Sequence, residues 1–229
     1  MTLIFIIVEW LGFAVCHQLP ERSFNYGSQI IAICARDTGI YMGLLVGFIF
    51  LTIINRKHEH GFPPWWAILV GICGIGLMGL DGLTSYGGFR TTTNEIRLIT
   101  GALAGMALPM VLVPMFNYQA WKEGSEERVI KDGWHFLAYL AAALVTVFLF
   151  QYRPGWLFWP MFAITGFSVA FAFVYVNMIL VMLLPWFARK AERVRQLAVP
   201  ALIAAVMGFA ELGAAYYMHW YLLQKLLAR

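Results

Sequence analysis

The stretch WWAILVGICGIGLMGLDG, residues 65–82, decides the fold class of this chain. It contains no charged residue before Asp81, and it is long enough for a helix that crosses a hydrocarbon core of roughly 30 Å. Lipid offers no hydrogen-bond partners to backbone groups, so such a stretch must be helical. Asp81 interrupts it near its end, and charge in this setting is usually paired, ligated or functional.

Similar apolar stretches lie on both sides of residues 65–82. The chain has 229 residues, of which 61% are hydrophobic and 12% charged, and its mean hydropathy is +0.73. We predict an all-α fold, a polytopic transmembrane helical bundle of about seven spans. We expect residues 1–229 to form a single membrane domain, with the motifs in residues 1–117 and a scaffold in residues 118–229. The predicted spans are residues 2–16, 38–55, 65–82, 96–117, 134–152, 158–187 and 198–222.

The first of these spans could be mistaken for a signal peptide. It has no basic start, and the stretch Phe13-Ala14-Val15-Cys16 lacks the small residues that precede a cleaved or lipidated cysteine. We therefore expect this span to be retained.

The basic residues predict the orientation of the bundle. They fall in the loops after spans two, four and six, which the positive-inside rule assigns to the cytoplasm. We therefore expect a multi-pass protein of the cell membrane with its N-terminus in the cytoplasm and the polar motifs at the exterior surface. The net charge of +4 reflects these loops and indicates no nucleic-acid partner. The residues concerned are Arg56, Lys57, Lys122, Arg128, Lys131, Arg189, Lys190, Arg193 and Arg195.

Glycines recur every four residues in the second and fourth predicted spans. Small residues at this spacing let two helix backbones approach closely. We expect spans two, three and four to pack together and to bring Asp37, Asp81 and Arg97 into one region. The glycines are Gly39, Gly43, Gly47, Gly101 and Gly105.

Two short motifs predict a metal site. Cys16 and His17 end the first span, and Cys34 and Asp37 are three residues apart, which places them on one face if residues 28–37 form a helix. Thiolate, imidazole and carboxylate ligands suit zinc better than magnesium or calcium. We predict zinc bound by these four side chains.

Two other interpretations of the cysteines remain open from sequence. Cys16 and Cys34 could form a disulfide on an oxidising exterior surface, or they could be small buried thiols. Cys73 lies deep in the third span, far from the motifs, and is expected to be a core residue.

Several arginines are expected at the level of the exterior headgroups. Guanidinium groups suit bidentate contact with phosphate or carboxylate, so membrane lipid and an anionic or lipid-phosphate ligand are the expected partners. Asp81 is the candidate base, and Arg36 and Arg97 are the candidate anion clamps; internal salt bridges that hold helices two to four are the alternative role of these charges. The predicted substrate-binding residues are Arg22, Ser23, Thr38, Tyr41 and Asn94.

The combination of motifs resembles a domain of unknown function found in uncharacterised bacterial and archaeal membrane proteins. The resemblance covers roughly the first half of the chain, and it departs from the family pattern where Asp37 stands in place of a second cysteine. It implies a membrane protein but supplies no reaction. The matching residues are Cys16, His17, Pro20, Arg22, Ser23, Cys34, Arg36, Thr38, Gly39, Ile40, Tyr41, Gly43, Asp81, Gly82, Asn94, Arg97, Thr100 and Gly101.

Three functions are compatible with these features. The first is a membrane-embedded, metal-dependent hydrolase or transferase acting on a lipid headgroup. The second is a proton-coupled or anion transporter whose path is marked by Glu9, Arg36 and Glu211, although the two glutamates also suit interhelical hydrogen bonds. The third is a non-catalytic accessory or assembly subunit with a structural metal or disulfide. No Walker sequence, dinucleotide fingerprint or HExxH motif is present.

Three histidines are given simpler interpretations. His219 is expected to belong to an aromatic belt at the exterior end of the last span. His58 and His60 are expected in a solvated cytoplasmic loop.

Overall fold

The structure, a computed structural model, describes residues 3–227. These residues form a bundle of α-helices with one two-stranded antiparallel sheet, which consists of β1 Ser23–Tyr26 and β2 Gln29–Cys34. Short 3₁₀ turns precede β1, α7 and α8. The helices are α1 Leu3–Val15, α2 Ala35–Ile54, α3 Trp65–Tyr86, α4 Asn94–Ala107, α5 Pro109–Ala120, α6 Gly133–Tyr152, α7 Phe158–Met182 and α8 Ala198–Leu227.

The predicted helical membrane bundle is confirmed. Six segments are long and apolar enough to cross a bilayer, and each matches one of the last six predicted spans. Helix α1 has 13 residues and therefore rises only about 20 Å, less than the hydrocarbon thickness. The predicted start of the first span, residue 2, lies outside the described residues. The six segments are Ala35–Ile54, Trp65–Tyr86, Asn94–Ala120, Gly133–Tyr152, Gly155–Met182 and Val194–Leu226.

The helix considered for residues 28–37 does not form, because residues 29–34 form strand β2. Tyr26 pairs with Gln29, so the hairpin has a two-residue loop that begins at Gly27. Gly27 has φ +67°, and glycine at the first loop position is typical of a type II′ hairpin turn. The isoleucine-rich sequence of β2 favours a strand once this turn forms. Helix α2 begins only at Ala35.

The hairpin packs against the second half of the chain. Phe24 lies 5.9 Å from Phe150 of α6, and Tyr26 lies 6.0 Å from Phe158 of α7, measured between ring centroids. Phe24 and Phe158 are almost completely buried. These aromatic contacts hold β1 in place, and its pairing with β2 then positions the strand that ends at Cys34.

Helices α2 and α4 cross at backbone contact, as their glycines predict. A Cβ atom at Gly101 would lie 2.2 Å from the carbonyl oxygen of Arg36, and one at Gly105 would lie 2.2 Å from that of Ile40. From the other side, a Cβ atom at Gly39 would lie 2.4 Å from the carbonyl oxygen of Leu98. No larger residue fits at these positions, so the glycines set the distance between the two helices.

The three basic loops are joined to one another at the opposite end of the bundle. Gly61 donates a backbone hydrogen bond to Glu127, and Lys122 donates one to Ala191, so the loop at residues 121–132 bridges the other two. Glu59 is buried, and its backbone carbonyl accepts a 2.7 Å hydrogen bond from the Asn117 side chain. The loops are thus an ordered cap rather than freely solvated segments.

Histidines 58 and 60 belong to this cap. The ring of His58 stacks on Trp121 with centroids 3.7 Å apart, and the ring of His60 contacts Tyr118 edge-on. Burial lowers the pKa of His58. The expected solvated loop is therefore ordered and partly buried.

Candidate metal centre

The last turn of α1 and the end of β2 position the two cysteines of the motifs. The Cys16 backbone N–H donates to the carbonyl oxygen of Gly12, which continues the helical pattern. Gly12 packs directly against β2, because a Cβ atom there would lie 2.4 Å from the carbonyl oxygen of Ala32. Cys34 closes β2 opposite Ser23 and immediately precedes α2. Close packing of α1 against the hairpin thus brings Cys16 to Cys34.

Cys16, Cys34 and Asp37 form a compact group of potential ligands. Their sulfur and carboxylate oxygen atoms all lie within 4.8 Å of one another. The Cys34 backbone N–H donates to Cys16 Sγ at 3.2 Å, and the Cys34 thiol donates to Asp37 Oδ2 at 3.2 Å. Ligands bound to one zinc ion at about 2.0–2.3 Å are separated by distances of this order, so small side-chain rotations would let all three meet a common ion.

The two thiols have different acidities. The hydrogen bond with Cys34 lowers the pKa of the Cys16 thiol, while the same contact and burial raise the pKa of Cys34. Both cysteines are free in the structure. Cys16 is therefore the thiol that ionises first and the stronger initial ligand for a soft cation.

His17 does not join this group, although the sequence predicts it as a ligand. Its ring lies against His219 of α8 with centroids 4.7 Å apart. His219 in turn stacks on Phe13 at 4.4 Å, and its Nδ1 lies 2.7 Å from the Phe13 carbonyl oxygen. The structure thus brings three of the four predicted ligands together. It also places His219 in a contact with α1, where the sequence indicates only an aromatic belt.

The ligand group lies in the wall of a cavity of about 390 Å³, called the polar cavity below. Two guanidinium groups in the same wall flank one aromatic ring: Arg22 Cζ lies 4.9 Å from the Tyr86 ring centroid, and Arg36 Cζ lies 5.7 Å from it. The cavity therefore combines soft metal ligands with fixed positive charge. Its lining residues are Val15, Cys16, His17, Leu19, Arg22, Cys34, Arg36, Asp37 and Tyr86.

Asp81 holds one of these arginines in position. Its carboxylate is almost completely buried and binds Arg36 at 2.5 Å, together with Arg90 and, at 2.7 Å, the hydroxyl group of Thr92. Both oxygens of Asp81 are engaged, so the geometry favours a positioning role over the predicted role as a base. The sequence predicts only Arg36 and Arg97 as possible partners of Asp81. Arg90 and Thr92 follow Asp81 closely in the sequence, and this short separation could have indicated their contacts with its carboxylate.

Asn94 and Ser23, two of the predicted substrate-binding residues, form hydrogen bonds that link separate segments of the chain beside the polar cavity. The Asn94 side chain donates to the backbone carbonyls of Glu21 and Ser23, both at 3.2 Å, and accepts a hydrogen bond from Arg97. The Ser23 hydroxyl is buried and donates to the carbonyl of Leu19. These contacts attach the turn that carries Arg22 to the start of α4.

The other predicted residues lie deeper in the bundle. Thr38 is completely buried, and its hydroxyl oxygen has no hydrogen-bond partner among residues 3–227. Tyr41 packs against the hydrophobic core beneath the hairpin. Arg97 lies close enough to Arg22 and Arg36 for their charges to repel. Thr38 and Tyr41 therefore support the site from below, whereas Arg97 adds to the positive charge around the cavity.

Comparison with known proteins shows to which family the chain belongs. Residues 16–111 match the family described as "Predicted membrane protein (DUF2085)". An uncharacterized protein of Methanocaldococcus jannaschii is 36% identical over 109 residues, which are 48% of this chain and 68% of that protein. An uncharacterized protein of Methanothermobacter thermautotrophicus is 30% identical over 97 residues, which are 42% of this chain and 83% of that protein. The chain belongs to the DUF2085 family.

Membership of the DUF2085 family confirms the predicted resemblance to a family of membrane proteins. No solved structure matches the chain. The matched residues begin at Cys16 and end within α5, so they contain every polar residue that lines the polar cavity. The similarity therefore covers the part of this DUF2085 protein in which the candidate ligands lie.

Proposed function

We propose that Cys16, Cys34 and Asp37 bind one zinc ion and that the protein acts as a hydrolase or transferase on the phosphate headgroup of a membrane lipid. The observation that carries this proposal is the position of the ligand group, within 4.8 Å of one another and in the same cavity wall as Arg22 and Arg36. Metal ligands and anion-binding groups thus face one space.

The types of ligand favour zinc over a hard cation. Two sulfur ligands and one carboxylate suit zinc, whereas magnesium and calcium require oxygen ligands throughout. Three protein ligands leave one position open for water or substrate, which is the arrangement of a catalytic site. His17 lines the same cavity and is the imidazole available to accept a proton or, after rotation of its side chain, to close the site as the fourth ligand.

The charges around the cavity favour an anionic substrate. Asp81 is shared between Arg36 and Arg90, so one carboxylate compensates two guanidinium groups. Arg22 also contacts the ring of Tyr86, and Arg97 lies nearby. The excess positive charge suits a phosphate group, to which guanidinium can donate two hydrogen bonds. In a membrane protein the phosphate groups at hand belong to lipid headgroups.

The proposed orientation places this cavity at the exterior surface of the membrane. The three basic loops carry nine of the 16 Lys and Arg residues and form one connected cap at the other end of the bundle, so the excess of basic residues lies on one side. The transporter alternative receives less support, because Glu9 accepts a hydrogen bond from Gln18 and Glu211 accepts one from Asn177. Each of these two carboxyl groups thus has a hydrogen-bond partner within the bundle.

A disulfide-linked accessory subunit is the second candidate, because the two sulfur atoms are near enough to be oxidised to a bond after a small movement.

Zinc analysis separates the candidates. Purified protein is loaded with zinc, dialysed, and assayed for zinc and for free thiols. We expect about one equivalent of zinc and three reactive thiols after metal removal, since all three cysteines are free.

Variants of the cysteines complete this experiment. Cys34→Ser should abolish zinc binding, whereas Cys73→Ser, the matched control on the exposed side of α3, should leave it unchanged. A wild-type protein that binds no zinc and has only one free thiol would favour the disulfide and overturn the metal proposal.

A further inference from the structure

A second cavity lies on the other side of Cys16 and His17. It occupies about 520 Å³ between the end of α1 and the last turns of α8, a volume within the usual range of ligand sites. Its wall is mainly aliphatic and includes Ala14, Ala215 and Leu222. We call it the apolar cavity. Among the described residues, Lys225 also borders it, and the Lys225 ammonium lies over the ring of Tyr221 at 4.8 Å.

The apolar cavity and the polar cavity adjoin. Val15, Cys16 and His17 line both, so the segment that carries the metal ligand Cys16 is the partition between them. On one side of this partition lie Arg22 and Arg36, and on the other lie mainly aliphatic side chains, together with the His219 ring and the Lys225 ammonium. A molecule with a charged end and a hydrocarbon end would match the two sides.

The apolar cavity is also accessible from the bilayer. Only 22% of the apolar window in the segment Val194–Leu226 is buried, so α8 presents most of its surface to its surroundings. A hydrocarbon chain could therefore enter beside α8 without crossing the protein interior. This route suits a lipid better than a water-soluble ligand, which would gain nothing from aliphatic walls.

We propose that the apolar cavity binds the hydrocarbon chain of a phosphate-bearing lipid whose phosphate lies against Arg22 and Arg36 in the polar cavity. The proposal rests on the proposed function and deepens it, because it names an amphiphile with a phosphate head and an extended alkyl chain as the substrate class. The bond to be attacked then lies beside Cys16 and His17, at the partition.

Alkyl phosphates of increasing chain length test this proposal. The full chain, in nanodiscs of zwitterionic lipid, is titrated with ethyl, hexyl and octyl phosphate. Burial of alkyl groups should tighten binding by about tenfold for every two methylene groups that enter the cavity. Ala215→Trp fills the cavity and should abolish this gain while leaving ethyl phosphate binding unchanged. Ala214→Trp, the exposed neighbour on the same helix, should behave as wild type.

The outcomes separate this proposal from the proposed function. If Ala215→Trp keeps the full chain-length dependence, the chain does not bind in the apolar cavity and the further proposal is overturned, while ethyl phosphate binding would still support the headgroup site. If wild type binds zinc but no ethyl phosphate, the headgroup site itself is refuted. Leu222→Trp, in the outer part of the cavity, repeats the test should the first variant not fold, as judged by its zinc content.

Discussion

Cys34 has two roles, because it is the last residue of a strand and immediately precedes a helix. Its backbone N–H donates to Cys16, while its side chain reaches Asp37 one turn into α2. The sequence spacing of Cys34 and Asp37 predicts their proximity correctly, although the expected helix over residues 28–37 does not exist. A residue that precedes the first helical turn lies near the third residue of that helix, so the two arrangements give the same contact.

Asp81 is buried and positions Arg36 in the wall of the polar cavity. Replacement of this one residue tests that role. Asp81→Asn should destabilise the protein by about 3 kcal/mol, because it leaves Arg36 buried without its counter-charge. Zinc binding should persist, since the ligands are untouched. Asp132→Asn, an exposed helix cap, is the matched control and should change stability by less than about 0.5 kcal/mol. Thermal unfolding in detergent measures both.

An Asp81→Asn protein that is as stable as wild type and binds ethyl phosphate equally well would contradict the positioning role.

At the level of secondary structure, the hairpin is the element that the sequence pattern obscured. Its strands are short, and the apolar residues 30–33 follow a serine that resembles a helix cap. The decisive signal was Gly27, because a two-residue loop beginning with glycine is typical of a hairpin. Aromatic contacts with Phe150 and Phe158, distant in sequence, then stabilise the strands. No local pattern could have predicted those contacts.

The backbone contact between α2 and α4 can be tested by substitution of the glycines that form it. Gly101→Ala would place a methyl group 2.2 Å from the Arg36 carbonyl oxygen, so the helices must separate and Arg36 must move. We expect a loss of about 2 kcal/mol in the free energy of unfolding, in the range typical of overpacked cores. Gly76→Ala on α3 is the control, because a Cβ atom there meets nothing within 4 Å, and alanine favours a helix.

Denaturant titration of both glycine variants in detergent provides the comparison. Equal stabilities for Gly101→Ala and Gly76→Ala would show that α2 and α4 are not in backbone contact.

Considered as a whole, the molecule has chemically different ends. The candidate ligands and the arginines of the polar cavity lie at one end, and the connected basic loops cap the other.

Phe89→Cys, in a strongly exposed position between α3 and α4, should react with an impermeant maleimide on intact cells. Glu123→Cys, in a basic loop, should react only after the membrane is opened. Labelling of Glu123→Cys but not of Phe89→Cys on intact cells would reverse the proposed orientation.

The sequence alone predicts the larger features of this molecule and fewer of its contacts. Apolar length is set by the bilayer, and six of the seven predicted spans match a segment of the structure that is long enough to cross it, to within a few residues. Glycine spacing predicts the α2–α4 contact. The contact between the His17 and His219 rings and the connections between the basic loops could not be predicted, because they join residues far apart in sequence. Such contacts depend on how the complete bundle packs.

X-ray absorption at the zinc edge reports whether Cys16, Cys34 and Asp37 share one zinc ion. We expect two sulfur neighbours at about 2.3 Å and further oxygen or nitrogen neighbours at about 2.0–2.2 Å. Cys34→Ser should bind no zinc and therefore give no such spectrum. A wild-type spectrum with only oxygen and nitrogen neighbours would show that the two cysteines do not bind the ion.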